Sequence, residues 1–375
     1  MPAIANTTSV SIAVMPGDGI GPEVIAPAIE LVDQALARVG GGLTLRYEEL
    51  DAGANCYVRT GTAMSEEVFE RAAAADAILF GAMGLPDVRT PDGIEIAPQI
   101  DLRFRLELFA GVRPVRSIPG APGPLSDPRA QNLDFVLIRE STEGLFTSRG
   151  KGEVTHDYAR ETWEITRAGS ERLFDFAFNL GRRRKAKGNP GIVACVDKSG
   201  VFRAFAYFRK IFFERAANYP DIDAHAYNVD ATALDLIRRP WIYDVLVTEN
   251  QFGDILSDAG AALMGGMGMA PSADIGLKHG LFQPCHGTAP DIVGTGKANP
   301  TAMILSAMMM LEWLGETKDL PVCIAAADLL QRAVDAAYLP GDLLPFELGG
   351  DSGTRKIADR IGEQVAMLPL TAAAA

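Results

Sequence analysis

The sequence predicts an α/β protein built on a largely parallel β-sheet, and two observations carry that reading. Short apolar, β-rich runs alternate with segments of helical apolar spacing, separated by glycine-rich turns. The composition agrees: of 375 residues, 48% are hydrophobic and 22% charged, a globular balance with enough chain for a large core.

In chain order, "VSIAVMPGDG" (10–19) reads as a strand entering a Gly-rich turn. "GPEVIAPAIELVDQALARVG" (21–40) has helical spacing, with Pro22 suited to a first turn. Further strands are expected over 76–84, 134–140, 191–200, 242–250 and 280–291. The stretch 113–132, rich in Pro and Gly and without period, reads as a long surface connection between domains. "GRRRKAKGNPG" (181–191) reads as a solvated basic helix end. "TAMILSAMMMLEWLG" (301–315) is too short to span a membrane and reads as a core helix, and 371–375, "TAAAA", as a frayed tail.

Charge narrows the function classes. The balance of 35 basic and 48 acidic residues, −13, disfavours nucleic acid and anionic membranes as partners. A small anion would therefore need a local basic pocket. Cys56, Cys195, Cys285 and Cys323 show no CxxC spacing and read as reduced thiols. The first residues carry neither a basic segment nor a long apolar run of a secretory leader, so a cytoplasmic protein is expected.

Four constellations carry chemistry. Asp254 and Asp258 stand four apart in "NQFGDILSDAG" and share one helical face. Such a pair suits a hard divalent cation such as Mg²⁺ or Mn²⁺, or reads as a capping aspartate beside a solvated one. Arg103, Arg113 and Arg139 are candidate carboxylate forks, each taken alone also readable as a surface ion-pair partner. Lys198, in "VDKSG", and Asp230, in "NVDATAL", are placed to serve as a proton relay. The loop "CHGTAPDIVGTGKANP" (285–300) offers His286, small residues for close approach, and Asp291 for a ribose diol. By contrast, Gly17, Gly19 and Gly21 form GxGxG before a proline, a weak dinucleotide signal.

In this order the motifs resemble those of the β-decarboxylating dehydrogenase family, which includes isopropylmalate, isocitrate, homoisocitrate and tartrate/D-malate dehydrogenases. The resemblance runs from "GDGIGPEV" to "GGDSGTRKIADRIGEQV". It implies an isopropylmalate dehydrogenase-like fold that is not a Rossmann fold. A larger cofactor-binding domain from both chain ends (1–107 and 265–375) would flank an inserted domain (108–264). By resemblance, the three arginines hold the substrate's carboxylates and Lys198 is the catalytic lysine. Asp254 and Asp258 bind the metal, and Asp230 joins them across a dimer interface. A homodimer or a dimer of dimers is therefore expected. His286, Gly287, Thr288, Ala289, Asp291, Ile292 and Asn299 match the cofactor loop. NADP-using relatives carry Lys-Tyr where this chain has Asp291-Ile292, so NAD is expected: a carboxylate repels a 2′-phosphate.

Four positions depart from the pattern, one of them Gly200 in "DKSGVF", where relatives often have Asn. Phe146 replaces the tyrosine acid and cannot donate a proton, leaving Tyr158, Thr147, Ser148 or water to substitute. Gln99 and Ile100, which precede Arg103, match neither the leucine pair of isopropylmalate enzymes nor the pattern of isocitrate enzymes. The expected activity is NAD- and metal-dependent oxidative decarboxylation of an (R)-malate-type 2-hydroxydiacid. The alternative, raised by Phe146, is a catalytically weak or regulatory member.

Overall fold

The computed structural model describes residues 8–370, so the tail reading at 371–375 lies outside the described residues. Strands β1 (Thr8–Gly17), β2 (Leu43–Glu49) and β3 (Ala77–Ala82) come from the start of the chain. Next come β4 (Ala110–Arg116), β5 (Asp134–Glu140), and a short exposed arm of β6 (Glu153–Val154) and β7 (Ala159–Arg160). Then follow β8 (Ile192–Asp197), β9 (Asp223–Asn228), β10 (Val245–Thr248), β11 (Pro271–Ile275) and β12 (Gly280–Pro284). Ten of these form one sheet in the order β2-β1-β3-β12-β11-β4-β5-β10-β8-β9.

Six of its nine neighbour pairs are parallel. The other three, β12–β11, β11–β4 and β4–β5, form an antiparallel seam at the centre. The seam is thinnest between β11 and β4, where pairing covers only Ala273↔Val112, Asp274↔Gly111 and Ile275↔Ala110.

The helices are α1 (Gly21–Val39), α2 (Ala54–Thr60), α3 (Glu66–Ala74), α4 (Pro98–Arg105), α5 (Arg167–Ala186) and α6 (Arg203–Ala216). They continue with α7 (Val229–Arg238), α8 (Asn250–Leu263), α9 (Thr301–Thr317), α10 (Pro321–Tyr338) and α11 (Thr354–Met367). On one side α1 packs with α9, α10 and α11. Its buried Val24, Ile25, Ala28, Leu31, Val32, Ala35 and Leu36 form the apolar stripe that the spacing predicts. The 301–315 segment is indeed a core helix, and no helix among the described residues is long and apolar enough to cross a membrane.

Two local readings need correction. The stretch 113–132 is not all connection, because 113–116 completes β4. The strand tolerates Pro114 because it runs past Val112, the last residue paired with β11. In the basic run, Arg184 is buried rather than solvated: its Nε lies 2.6 Å from Asp244 and its Nη1 3.1 Å from Asp134. A guanidinium on the inward face of α5 is retained because two carboxylates meet it there.

Candidate active site

The Gly-rich turn after β1 seats a neighbouring loop. Gly19 has φ +59°, and a Cβ there would lie 2.0 Å from the Thr288 carbonyl oxygen. The Ile20 N–H donates to that oxygen at 2.9 Å, and the Thr288 hydroxyl donates to the Gly84 carbonyl at 2.7 Å. Buried Asp18 ties the corner together by accepting from the Ala54, Asn55 and Gly84 amides. The loop bearing His286 and Gly287 is thus held beside the end of β3.

Those elements form one wall of a cavity of about 320 Å³. Gln99, Ile100 and Arg103 on α4 add a second wall, and Arg113, Arg139, Phe146, Asp254 and Asp258 close the opposite side. Arg103, Arg113 and Arg139 are all buried. Arg103 Nε lies 3.0 Å from Asp274, and Arg113 Nη2 lies 3.4 Å from the other oxygen of the same carboxylate. Arg139 reaches Asn250 Oδ1 through Nε (3.0 Å) and Nη2 (2.6 Å), and pairs with Asp254 through Nη1. Its stem lies on Gly253, where a Cβ would come within 2.6 Å of Arg139 Cγ. That close approach explains the glycine in "NQFGD".

Electrostatics identify what the cavity lacks. Burial, together with the positive charge of Arg103, pulls Arg139 down to about 10. Burial would raise Asp274, yet Arg103 and Arg113 hold it below the ordinary carboxylate range. Asp258 is raised, first by burial and then by the charge of Asp254, one helical turn away. Helix α8 carries both aspartates and is capped by buried Glu249, whose carboxylate accepts from the Gln251 and Phe252 amides. Two oxygen donors that repel one another beside a cavity fit a hard divalent cation. Among the described residues, no third acidic, His or Cys ligand joins them.

Lys198 and Asp230 do not reach this cavity. They pair with each other beyond β8 and at the start of α7. Arg139, Thr248 and Val196 are level across β5, β10 and β8, so Val196 lies about two strand spacings, roughly 10 Å, from Arg139, and Lys198 follows two residues beyond it. In the cofactor loop, Ala289 has φ +37°, and Asp291 and Ile292 lie on a single exposed 3₁₀ turn. Asn299 is buried, donates to Glu347 at 2.6 Å and accepts from the Thr301 amide, so its amide is used at the start of α9.

None of the three side chains named to replace the missing acid lines the cavity. Thr147 donates to Gly144 O, Ser148 is held by Glu161 and Thr162, and Tyr158 donates to Glu153 on the exposed arm. Phe146 does line it, with its ring under the Arg139 guanidinium at 5.7 Å. Sequence reasoning missed Asp274 and Asn250, which meet the arginines, and Gln283, which donates to Asp274 at 2.8 Å. The signal was a lone acid inside the apolar run "APSADIGL".

Comparison with known proteins places these features among relatives. The profile of the isocitrate/isopropylmalate dehydrogenase family matches residues 11–361. A 3-isopropylmalate/3-methylmalate dehydrogenase of Methanocaldococcus jannaschii is 40% identical over 357 residues, covering 94% of this chain and 98% of that protein. A homoisocitrate dehydrogenase of the same organism is 40% identical over 356 residues, covering 93% and 96%. The crystal structure of isocitrate dehydrogenase from Methylococcus capsulatus superposes with a TM-score of 0.82 at 33% identity, covering 95% of this chain and 99% of that one.

Proposed function

Because the chain belongs to the isocitrate/isopropylmalate dehydrogenase family, a group of β-decarboxylating dehydrogenases, we propose a specific reaction for it. It oxidatively decarboxylates an (R)-malate-type 2-hydroxydiacid, using NAD and Mg²⁺ or Mn²⁺. The observation that carries this reading is the meeting of three buried arginines and the Asp254–Asp258 pair around one small cavity. Asp274 is shared by Arg103 and Arg113, one carboxylate between two guanidiniums, while Arg139 is met by Asp254.

In this reading Arg103, Arg113 and Arg139 grip and orient the two carboxylates, displacing Asp254 from Arg139 toward the cation. Asp254 and Asp258 would hold the metal, with the partner subunit's Asp230 as the third ligand. When bound, the metal supplies Lewis acidity at the substrate oxygen and NAD supplies the hydride acceptor. The partner subunit's Lys198 accepts the hydroxyl proton. What supports a second copy is the distance of Lys198 and Asp230 from their own cavity. Beside them Leu234 and Ile237 on α7 and Ile255 on α8 are apolar and exposed. The Asp291 carboxylate supports NAD over NADP by repelling a 2′-phosphate.

The test is a panel of D-malate, tartrate, isocitrate, homoisocitrate and 3-isopropylmalate with Mn²⁺ and either cofactor. Metal-dependent, EDTA-sensitive reduction of NAD⁺ with at least one diacid is expected. Silence across the panel would refute the reading.

Phe146 favours a second reading, a catalytically weak or regulatory member, because its ring lines the cavity and none of Tyr158, Thr147 and Ser148 does. Phe146→Tyr separates the two. A positioned acid contributes about 10²–10⁴-fold, so a comparable gain in turnover supports the weak-enzyme reading. An unchanged rate and product distribution would mean that no acid is needed there.

A further inference from the structure

Oxidative decarboxylation ends with a proton. Once the bond from C3 to its carboxylate breaks, the electron pair left on C3 must be protonated, and Phe146 has no proton to give. The cavity wall narrows the source, because only four of its side chains, Ser257, Ser272, Cys285 and His286, carry a hydroxyl, a thiol or an imidazole. Ser257 Oγ donates to the Asp254 carbonyl at 2.9 Å, and the Cys285 thiol is turned to the Pro271 carbonyl at 3.5 Å. His286 Nδ1 lies 2.9 Å from the Gly287 carbonyl, which can only accept, so in the neutral ring the proton sits on Nδ1. Burial lowers this imidazole and keeps it neutral, which leaves its buried Nε2 a bare acceptor.

Ser272 differs. It is 1% exposed, and its Oγ has no hydrogen-bond partner among the described residues. A hydroxyl buried in that way costs about 1–3 kcal/mol unless something arrives to pair with it. Its backbone is fixed: the Ser272 amide donates to Ser306 Oγ at 3.2 Å, and the residue stands level with Gln283 on β12. On β11 it shares a face with Asp274, two residues on, whose carboxylate meets Arg103 and Arg113. The hydroxyl therefore lies on the side of the strand where those arginines stand. We propose that Ser272 delivers the last proton of the reaction to C3, an inference that rests on the diacid reading above. The Ser272 O–H bond breaks as the C3–H bond forms, and the serine oxygen recovers a proton from solvent water. The sum is one proton taken from solvent, with no change of oxidation state.

The experiment is stopped-flow and steady-state kinetics of Ser272→Ala with Mn²⁺, NAD⁺ and the fastest diacid of the panel above. Steady-state kcat should fall about 10²-fold, after a first-turnover burst of NADH as fast as the parent's. Because loss of CO₂ precedes the slowed step, kcat/KM should stay within about twofold, a split that a merely structural role would not give. If the enol escapes before it is protonated, the loss shows elsewhere: with tartrate or a 3-substituted malate in D₂O, the product no longer carries deuterium at C3 in a single handedness. Ser272→Thr, which keeps the hydroxyl, should hold kcat within about threefold. The proposal is overturned if Ser272→Ala keeps both its kcat and that handedness, or if Ser272→Thr loses as much as Ser272→Ala. A gain of about 10²-fold from Phe146→Tyr alone also overturns it, since the acid would then have been absent. If a diacid turns over and Ser272→Ala behaves as the parent, only this inference fails. If no diacid of the panel reduces NAD⁺, both readings fall.

Discussion

The arginine-lined cavity and the cleft on the opposite side of the sheet seam differ in size in the wrong direction for a site. The opposite cleft, bounded by Arg116, Asp134, Lys187, Met308 and Glu312, encloses about 790 Å³ against about 320 Å³ for the cavity. Yet its cations are already met. Arg116 lies 2.8 Å from Asp335 and Lys187 2.9 Å from Glu312. In the smaller cavity two buried arginines share one aspartate, and Asp258 has no ion-pair partner among the described residues. Uncompensated charge, not volume, marks where a ligand completes the protein.

The comparison breaks most sharply at Asp254. If the pair on α8 awaits a cation, Asp254→Asn should lower metal-dependent NAD reduction by about 10³-fold, several kcal/mol of lost transition-state stabilisation. Calorimetry should show Mn²⁺ binding lost with it, while the circular dichroism spectrum is unchanged. Normal turnover in that variant would end the metal assignment.

Next in size is Asp274, the one buried carboxylate that Arg103 and Arg113 share. Removing one partner from a buried charged cluster costs about 3–5 kcal/mol. Asp274→Asn should therefore lower unfolding free energy in urea by that order and raise KM for the diacid. A variant as stable as the parent would show that the arginines do not need their buried counter-charge.

This residue also marks the limit of what the sequence discloses. Asp254 and Asp258 stood out by their spacing and Arg103, Arg113 and Arg139 by residue type, the roles of all five came from the family resemblance, and the structure brings them to one cavity. The apolar runs at 134–140 and 191–200 were legible as strands from local pattern. Asp274 was not, since its role depends on the β11–β4 register, a pairing between residues about 160 positions apart. Likewise β2 and β9 were missed: both are edge strands with many exposed polar positions, so their apolar signal is diluted. The spacing of Gly19 gives only a weak dinucleotide signal; the packed structure reveals the Thr288 carbonyl that requires it.

A third, smaller test is pH. Glu249, the cap of α8, and Glu140, at the end of β5, are both pushed up to about 7, chiefly by burial, from an ordinary value of 4.5. Between 4.5 and 7 the folded chain thus binds more protons than the unfolded chain, so stability must rise as pH falls through that window. The urea midpoint should be higher at about pH 5.5 than at pH 8, and Glu140→Gln with Glu249→Gln should flatten the difference. A midpoint that falls on acidification over this range would mean that these carboxyls are charged when folded.

The smallest effect is expected on the opposite cleft, and its smallness is the point. Lys187 is 67% exposed and Glu312 39%, so their attraction is screened by water and salt. The double variant Lys187→Met, Glu312→Gln should change unfolding free energy by less than about 1 kcal/mol and leave kcat/KM within about twofold. Raising the salt concentration should produce a loss of similar size in the parent and none in the variant. A large change in turnover would mean that this cleft is coupled to the arginine-lined cavity through the three-residue pairing of β11 and β4. Paired surface charge would then be part of the working site rather than a contrast to it.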